Sequence, residues 1–249
     1  GILISNGSSG SSSRVTDGQG GASYANDDWQ ITTRTPGSTN VVAPPTYTAY
    51  TILEIQTPGA DGDASQHVGE TVETSGIVTA VGAYFYFIQD GSGAWNGIYV
   101  YDSPGDLAQG DDITIQGTVT EHSGLSEITG VASTTVNSSG NDLPAATVLG
   151  TGAVSMEDYE GVLVNTSGTC DNDDLGYNEW SIDDGTGAVR TDDAIFLFEA
   201  TLNYDYDVTG PLLYNYGDYK ILPRSADDVV ETATTGGCTD PTAVNYDAD

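Results

Sequence analysis

Basic residues are scarce in this chain of 249 residues: five Lys and Arg stand against 37 Asp and Glu, and Lys220 is the only lysine. The formal net charge is −32. Because an acidic surface repels polyanions, we expect no nucleic acid among the partners, and we expect any charged partner to be cationic. The simpler interpretation of the acidity is that it keeps the protein soluble.

Cysteine and long apolar runs are also scarce. Cys170 and Cys238 are the only two cysteines. They fit one disulfide, within or between chains, formed in an oxidising compartment, or two separate thiols. No stretch approaches the roughly 18 apolar residues that a membrane span needs, so we expect no span. The chain begins with Gly1, which we interpret as a processed exported protein or a fragment, and we expect an extracellular or cell-surface location.

The sequence lacks the signatures of common enzyme classes. It contains no Gly-x-Ser-x-Gly elbow, no phosphate-binding Gly-x-x-x-x-Gly-Lys loop and no His-Glu-x-x-His zinc motif. His122 lies near Glu127 at a predicted hairpin turn, where an acid–base role is conceivable, but a solvated turn is the simpler interpretation. His67 lies in a polar loop. We therefore expect no enzyme activity and no required cofactor.

The residues that are abundant favour β-structure. The chain has 32 Gly and 15 Tyr, together with many Ser, Thr, Asp and Asn, which supply turns and strands rather than helices. In the run from Ile113, every second residue is apolar or glycine, through Ile115 and Gly117 to Val119. Such alternation predicts a strand with one buried face and one wet face.

An internal repeat divides the chain. The segment IQDGSGA at residues 88–94 recurs as IDDGTGA at residues 182–188, an offset of 94 from Asp90 to Asp184. A second set of matches, at an offset of 93, pairs Gly117, Gly124 and Ile128 with Gly210, Gly217 and Ile221. Asp-Gly between β-rich runs is a strong hairpin signal. The sequence therefore predicts two tandem copies of one β-unit.

Each copy reads as five short strands. In the first copy we predict strands at residues 76–81, 84–89, 97–101, 112–120 and 127–131. In the second copy we predict strands at residues 161–167, 179–182, 194–198, 206–213 and 219–222, with the insertion 170–177 as a loop. Five strands with a glycine bend in the fourth fit a small Greek-key barrel of the OB type, so the predicted fold is all-β with two OB-like barrels.

The same residues carry a resemblance. The segments FIQDGSGA at 87–94, GIYVY at 97–101 and KILPR at 220–224 resemble tandem OB-fold modules of secreted bacterial nucleases and surface proteins, over residues 49–231. Residues 1–43, with Asp28-Trp29 and a Thr-Pro-Gly turn, resemble the end of a lamin-tail domain, an immunoglobulin-like sandwich. The run from Cys238 to Tyr246 resembles a Cys-containing motif near the C-termini of bacterial surface proteins.

These features give the expected domain plan. It consists of a lamin-tail-like strand segment at 1–43, a first barrel at 44–136, a linker at 137–157, a second barrel at 158–232 and a Cys-containing tail at 233–249.

Three sets of candidate site residues follow. OB barrels bind ligands through aromatic side chains on one face, and the candidates for that role are Tyr84, Tyr86, Trp95, Tyr99 and Tyr101. We expect a saccharide as their ligand. Calcium is the metal whose oxygen ligands the acidic turns offer, at Asp171, Asp173, Asp174, Asp240 and Asp247, although solvated turns are the simpler interpretation. Cys170 and Cys238 are the candidate disulfide.

Two functions remain open at this point. Residues 1–40 are too few to close a sandwich, so their unpaired backbone groups would be satisfied by strands of another chain. This predicts a non-catalytic structural or adhesive protein that self-associates into a surface filament or layer. The alternative is a binding or spacer module of a larger secreted nuclease, with a saccharide ligand.

Overall fold

The computed structural model describes residues 10–14, 29–33, 45–60 and 62–232. The chain divides into two compact units, residues 1–46 and residues 47–249. In the first unit, strands β1 (Gly10–Arg14) and β2 (Trp29–Thr33) form an antiparallel ladder with Gly10 opposite Thr33. The remaining elements belong to the second unit.

The first barrel follows a short lead-in. The lead-in is β3 (Thr48–Ala49) and helix α1 (Ile52–Gln56), which starts at a capping box formed by Thr51 and Glu54. The barrel strands are β4 (Thr71–Val81), β5 (Tyr86–Gln89), β6 (Gly97–Val100), β7 (Asp112–His122) and β8 (Leu125–Ser138). Strand β4 pairs with β5 and β7, and β8 pairs in parallel with β6, which closes the sheet.

The second barrel repeats this plan. Its lead-in is β9 (Thr147–Val148) and α2 (Thr151–Val154). Its strands are β10 (Leu163–Asn172), β11 (Trp180–Asp183), β12 (Val189–Thr191), β13 (Asp205–Asn215) and β14 (Asp218–Ile221), with β15 (Val229–Thr232) added beside β13. The pairing of β10 with β13 and the parallel pairing of β12 with β14 close the barrel.

The predicted fold class is confirmed: the chain is all-β, with OB-like barrels whose first and fourth strands pair antiparallel and whose third and fifth strands pair in parallel. The predicted glycine bends are Gly117 and Gly210, both in the fourth strands. A side chain at Gly210 would collide with the backbone of Leu222. Glycine at this position therefore lets the fifth strand approach the fourth.

Each barrel has an apolar interior. The first core contains Ile88, Ile98 and Ile113, and the second contains Trp180, Ile182 and Val208. The periodicity of two therefore placed the core faces of the long strands correctly.

Some predicted elements are corrected. The strand expected at residues 194–198 is absent from that segment, and the third strand of the second barrel is Val189–Thr191 instead. Phe198 packs from a loop against Trp180 and Tyr206, with ring centroids 5.8 and 5.6 Å apart. The apolar run that led to the prediction of a strand therefore covers the end of the second core instead. The expected short closing strand, 127–131, is the 14-residue β8. Both short helices were missed.

The repeated Asp-Gly turns have the same tertiary contact in both copies. Oδ2 of Asp90 accepts a hydrogen bond from the N–H of Ile52 at 2.9 Å, at the start of α1. Asp184 Oδ2 accepts from the N–H of Thr151 at 3.2 Å, at the start of α2. A carboxylate at a helix N-terminus satisfies free N–H groups. The repeat thus preserves the docking of each lead-in helix as well as the turn.

The two barrels of the second unit are joined by a buried seam. Its apolar part, which we call the seam cluster, combines Ala80, Phe87, Tyr99 and Leu125 of the first barrel with Leu213 and Leu222 of the second. The backbones of Gly97 and Gly161 meet there, since a Cβ at Gly161 would lie 2.7 Å from the Gly97 carbonyl carbon. Arg224 donates to the Thr79 carbonyl at 3.2 Å.

Among the described residues, no helix has both the length and the apolar character needed to cross a membrane.

Candidate functional site

OB barrels bind ligands on the outer face of their second and third strands, between the loop that joins strands one and two and the loop that joins strands four and five. In the first barrel this face is covered. Phe87 and Tyr99 point from β5 and β6 into the seam cluster. The turn at Gly124 packs against the Tyr214 ring, whose Cε1 lies 2.6 Å from where a Cβ would stand. The face on which an OB barrel binds ligands is therefore buried against the second barrel in the first copy.

The corresponding face of the second barrel is open. It carries a pocket of about 530 Å³ between the loop before β11 and the turn after β13. The lining residues are Tyr177, Glu179, Arg190, Asp192, Asp193, Asn215, Tyr216, Asp218 and Lys220. We call this surface the open face.

Two cations and three carboxylates form the floor of the open face. Lys220 Nζ, on β14, lies 2.5 Å from Glu179 Oε1 and 3.1 Å from Asp192 Oδ2. Arg190, on the neighbouring strand β12, lies 2.9 Å from Glu179 and 3.2 Å from Asp218. The only lysine of the chain is thus buried between two acids.

The ion pairs set the charge of this floor. Burial alone would raise the pKa of Glu179, but hydrogen bonds from Lys220 and Arg190 outweigh burial and lower that pKa. Burial opposes the charge of Lys220 too, yet Glu179 and Asp192 raise its pKa. Both groups are charged at neutral pH, so Glu179 carries no proton to donate as a general acid.

Two tyrosines stand at the rim of the open face. Tyr177 is 92% exposed and Tyr216 is 91% exposed. Both have a left-handed backbone, with φ of 57° and 55°. Bulky residues rarely adopt this conformation, and residues that do so are concentrated at functional sites. Exposed rings held at a strained backbone are the feature of this face that points most directly to ligand contact.

Sequence reasoning missed both tyrosines, although the repeat contained a signal for one of them. The offset of 93 that aligns Gly124 with Gly217 also aligns Ser123 with Tyr216. Ser123 and Tyr216 have φ of 56° and 55°, and the glycine after each has φ of 93°. The two turns are therefore the same, and only the second places an aromatic ring in solvent.

The five predicted aromatic residues do not share one face. Tyr86 is fully buried in the first core and Tyr99 belongs to the seam cluster. Trp95 is half-buried, and its backbone N–H donates to the Asp158 carbonyl at 2.6 Å. Tyr84 and Tyr101 are exposed. The structure therefore does not bring the five residues together as one face, because Tyr86 points into the first core and Tyr99 points into the seam.

The acidic residues proposed for calcium make local hydrogen bonds. Asp171 Oδ1 accepts from Ser181 Oγ at 2.7 Å, and Asp174 Oδ1 accepts from the N–H of Gly176 at 3.0 Å. Asp173 is exposed. In the part of the chain that the structure describes, no group of three or more His, Cys, Asp or Glu is arranged to hold a metal ion. Asp240 and Asp247 lie outside that part.

Cys170 lies elsewhere than predicted. It belongs to strand β10 rather than to a loop, and its side chain is fully buried in the second core. Burial raises the pKa of this thiol to about 11. Cys238, its proposed disulfide partner, lies outside the described residues, so the bond stays a prediction.

The two histidines lie on the first barrel. The His67 ring packs against Tyr50 at 4.1 Å, and its Nδ1 lies 3.1 Å from Glu70 Oε2. His122 is exposed at the end of β7.

Comparisons with known proteins give structural matches only. No protein-family model matches the chain, and no curated protein does. The solved structures that match include the HINa domain of Ifi202 in complex with 20-bp dsDNA, with 11% identity over 66% of this chain and 96% of that chain and a TM-score of 0.34. Another, described as structural mimicry for functional antagonism, has 12% identity over 70% of this chain and 98% of that chain, with a TM-score of 0.33.

The expectation that nucleic acid is excluded as a partner is corrected; one of these matching structures is a complex with double-stranded DNA, which is a property of that protein. The expectation rested on the net charge of the whole chain. Exposed charges more than about 8 Å apart are largely screened at physiological ionic strength, so the total charge does not decide what one face binds.

Proposed function

We propose that this chain is a non-catalytic extracellular adhesive protein that binds its ligand on the open face of the second barrel. One observation carries the proposal: the ligand face of the first barrel is buried in the seam, whereas that of the second barrel is open and bears the exposed rings of Tyr177 and Tyr216. The first barrel then serves as a scaffold.

The chemistry of the open face favours a saccharide as the ligand. Exposed tyrosine rings offer apolar surfaces with a hydroxyl group at one end, and sugars present apolar faces edged by hydroxyls. Asp193, Asn215 and Asp218 line the same pocket and can exchange hydrogen bonds with those hydroxyls. The cations of the floor are already paired with its carboxylates. A charged ligand would have to compete with these ion pairs, whereas an uncharged ligand would not.

The absence of turnover is part of the proposal. Glu179, the carboxylate at the centre of the floor, bonds to both Lys220 and Arg190. A glycoside hydrolase needs one carboxyl group that is protonated before reaction. Glu179 has a lowered pKa and is held in ion pairs, which supports binding without hydrolysis.

A glycan array tests this function. We expect the intact chain to bind one class among neutral hexasaccharides such as cellohexaose and chitohexaose. Mass spectrometry of the bound saccharide should then show that it has not been cleaved. The double variant Tyr177→Ala/Tyr216→Asn should lose this binding, and Ser123→Asn, at the equivalent turn of the first barrel, should keep it. Single-stranded and 20-bp double-stranded DNA are included on the same surface. Binding to DNA alone would replace the saccharide proposal.

Self-association is a second candidate function, supported by the β1–β2 ladder. Within the described residues this sheet has two strands, and an isolated two-stranded ladder is marginally stable. Strands from a neighbouring copy would complete it, giving a surface filament or layer built from lamin-tail-like segments and tandem bacterial OB modules. Negative-stain microscopy should show polymers that disappear when residues 1–40 are deleted. Monomers at high concentration would favour a module of a larger secreted protein instead.

A further inference from the structure

Glu160 is a carboxyl group buried in the seam between the barrels. It lies just before β10 and is 1% exposed. Its Oε1 accepts a hydrogen bond from the N–H of Ser126 on β8, at 2.9 Å. Its backbone carbonyl accepts from Gln56 Nε2 at 3.3 Å, and that amide also donates to Gly97 at 2.7 Å. One residue of the second barrel is therefore bonded to both the lead-in helix and the fifth strand of the first.

The other carboxyl oxygen of Glu160 has no partner. Among the described residues, Oε2 is buried and makes no hydrogen bond. An ionised carboxylate has several lone pairs to satisfy, and leaving it buried without partners is strongly unfavourable. A neutral carboxylic acid has a much smaller desolvation penalty.

In the part of the chain that the structure describes, the titratable groups that act on Glu160 are carboxyl groups and a tyrosine. These groups are Glu157 of the preceding 3-10 turn, Glu121 of β7, Glu127 of β8 and Tyr219 of β14. Glu121 accepts from Ser126 Oγ at 2.7 Å, and Glu157 accepts from the Tyr219 hydroxyl at 2.8 Å. Burial and then the charge of Glu157 raise the pKa of Glu160 to about 9.

We propose that Glu160 is a proton-dependent latch between the two barrels: with its proton it seats in the seam, and loss of the proton opens the seam around Ser126 to water. Opening hydrates the carboxylate and increases its distance from Glu121 and Glu127. The seam cluster, in which Tyr99 is the one titratable residue, continues to hold the barrels as one body when the seam opens around Ser126.

The raised pKa of Glu160 determines how closing of the seam depends on pH. The pKa of Glu160 is higher in the closed state than the ordinary value of 4.5, so the closed state binds the extra proton between these two values. Closing is favoured below pH 4.5 and is weakened as the pH rises towards about 9. One proton per molecule changes the ratio of open to closed forms by up to about tenfold per pH unit.

The test follows exchange of the Ser126 amide hydrogen in the intact chain at pH 6, 7, 8 and 9, corrected for the intrinsic exchange rate. In the wild type, protection should fall by up to about tenfold per pH unit. Glu160→Gln keeps the acceptor for Ser126 and cannot ionise, so its protection should be independent of pH. Glu199→Gln, at an exposed site, should behave as the wild type does.

Two outcomes would overturn the latch. One is equal loss of protection in the wild type and Glu160→Gln; the other is constant protection in the wild type. Should Glu160→Gln not fold, the carboxyl carbon of Glu160 in the wild type can be titrated by ¹³C NMR, together with the Ser126 amide. A midpoint near that of an ordinary glutamate, or one at which the Ser126 amide does not respond, would also refute the proposal.

Discussion

The side-chain oxygen of Gln89 accepts a hydrogen bond of 2.7 Å from the backbone N–H of Leu163, which joins strand β5 of the first barrel to strand β10 of the second. Gln89 is fully buried, and its amide nitrogen also donates to the Gly91 carbonyl at 2.9 Å. Two tandem barrels could instead have been independent domains joined by a flexible linker. This bond, with the seam cluster, makes them one folded body.

Gln89→Ala should therefore weaken the whole second unit. The substitution leaves the N–H of Leu163 buried without an acceptor, which costs about 1–3 kcal/mol. We expect the midpoint of urea unfolding to fall while the transition remains single. Gln116→Ala, at a partly exposed glutamine that bonds to Glu73, should have a smaller effect. Equal effects of the two variants would mean that the hydrogen bond from Leu163 to Gln89 stabilises the second unit no more than an ordinary surface bond does.

Tyr216→Asn should separate stability from binding. Asparagine tolerates the left-handed backbone of this turn better than tyrosine, so the free energy of unfolding should rise by roughly 0.5–1 kcal/mol. Saccharide binding should weaken several-fold, since the variant removes the apolar ring face and the hydroxyl group that tyrosine offers to a sugar. Ser123→Asn is the matched control, which should leave binding unchanged. Calorimetry and thermal melting measure the two effects, and unchanged binding by Tyr216→Asn would remove this ring from the site.

Lys220→Met should destabilise the second barrel strongly. It leaves Asp192 without its cation and Glu179 paired with Arg190 alone, and breaking a buried pair in this way costs about 3–5 kcal/mol. Glu179 has a lowered pKa in the native state, so its contribution to stability is present above pH 4.5 and is lost as the pH falls. The deficit of the variant, measured by urea unfolding, should shrink towards low pH.

Arg190→Gln is the comparison for this prediction. Arg190 is 35% exposed and shares one acid, Glu179, with Lys220, while its second partner is Asp218. Its replacement should therefore cost less than that of Lys220. If the two variants lose the same stability, or if the deficit of Lys220→Met does not depend on pH, the buried pair is not the cause.

The two equivalent aspartates should respond differently to acid. Hydrogen bonds from Thr186 and Thr151 lower the pKa of Asp184 to about 2, so its contribution is present above its ordinary pKa of 3.8 and is lost as the pH falls towards 2. Burial raises the pKa of Asp90, so its contribution declines as the pH rises. Asp184→Asn should flatten the thermal stability curve between pH 4 and 2, whereas Asp90→Asn should not. Identical curves for the two variants would contradict the opposite shifts in the pKa of these two aspartates.

The repeat and the alternation of apolar residues were sufficient to predict the barrels, because alternation marks the buried face of each strand and the repeat shows that one unit occurs twice. They did not reveal the open face. Alternation separates Tyr86 from Phe87 but cannot say that the outward residue, Phe87, is itself buried by a second barrel. The Asp-Gly turns were recognised as turns, whereas their contacts with α1 and α2 join residues 38 and 33 positions apart, a distance that no local pattern reports.

The most direct test of the account is an NMR titration of the ¹⁵N-labelled intact chain with the neutral hexasaccharide that binds best on the array. We predict saturable shifts confined to the loop around Tyr177, the strand of Arg190 and the turn at Tyr216. Shifts that map to the first barrel, or saturation at the open face by DNA but by none of the saccharides, would contradict it.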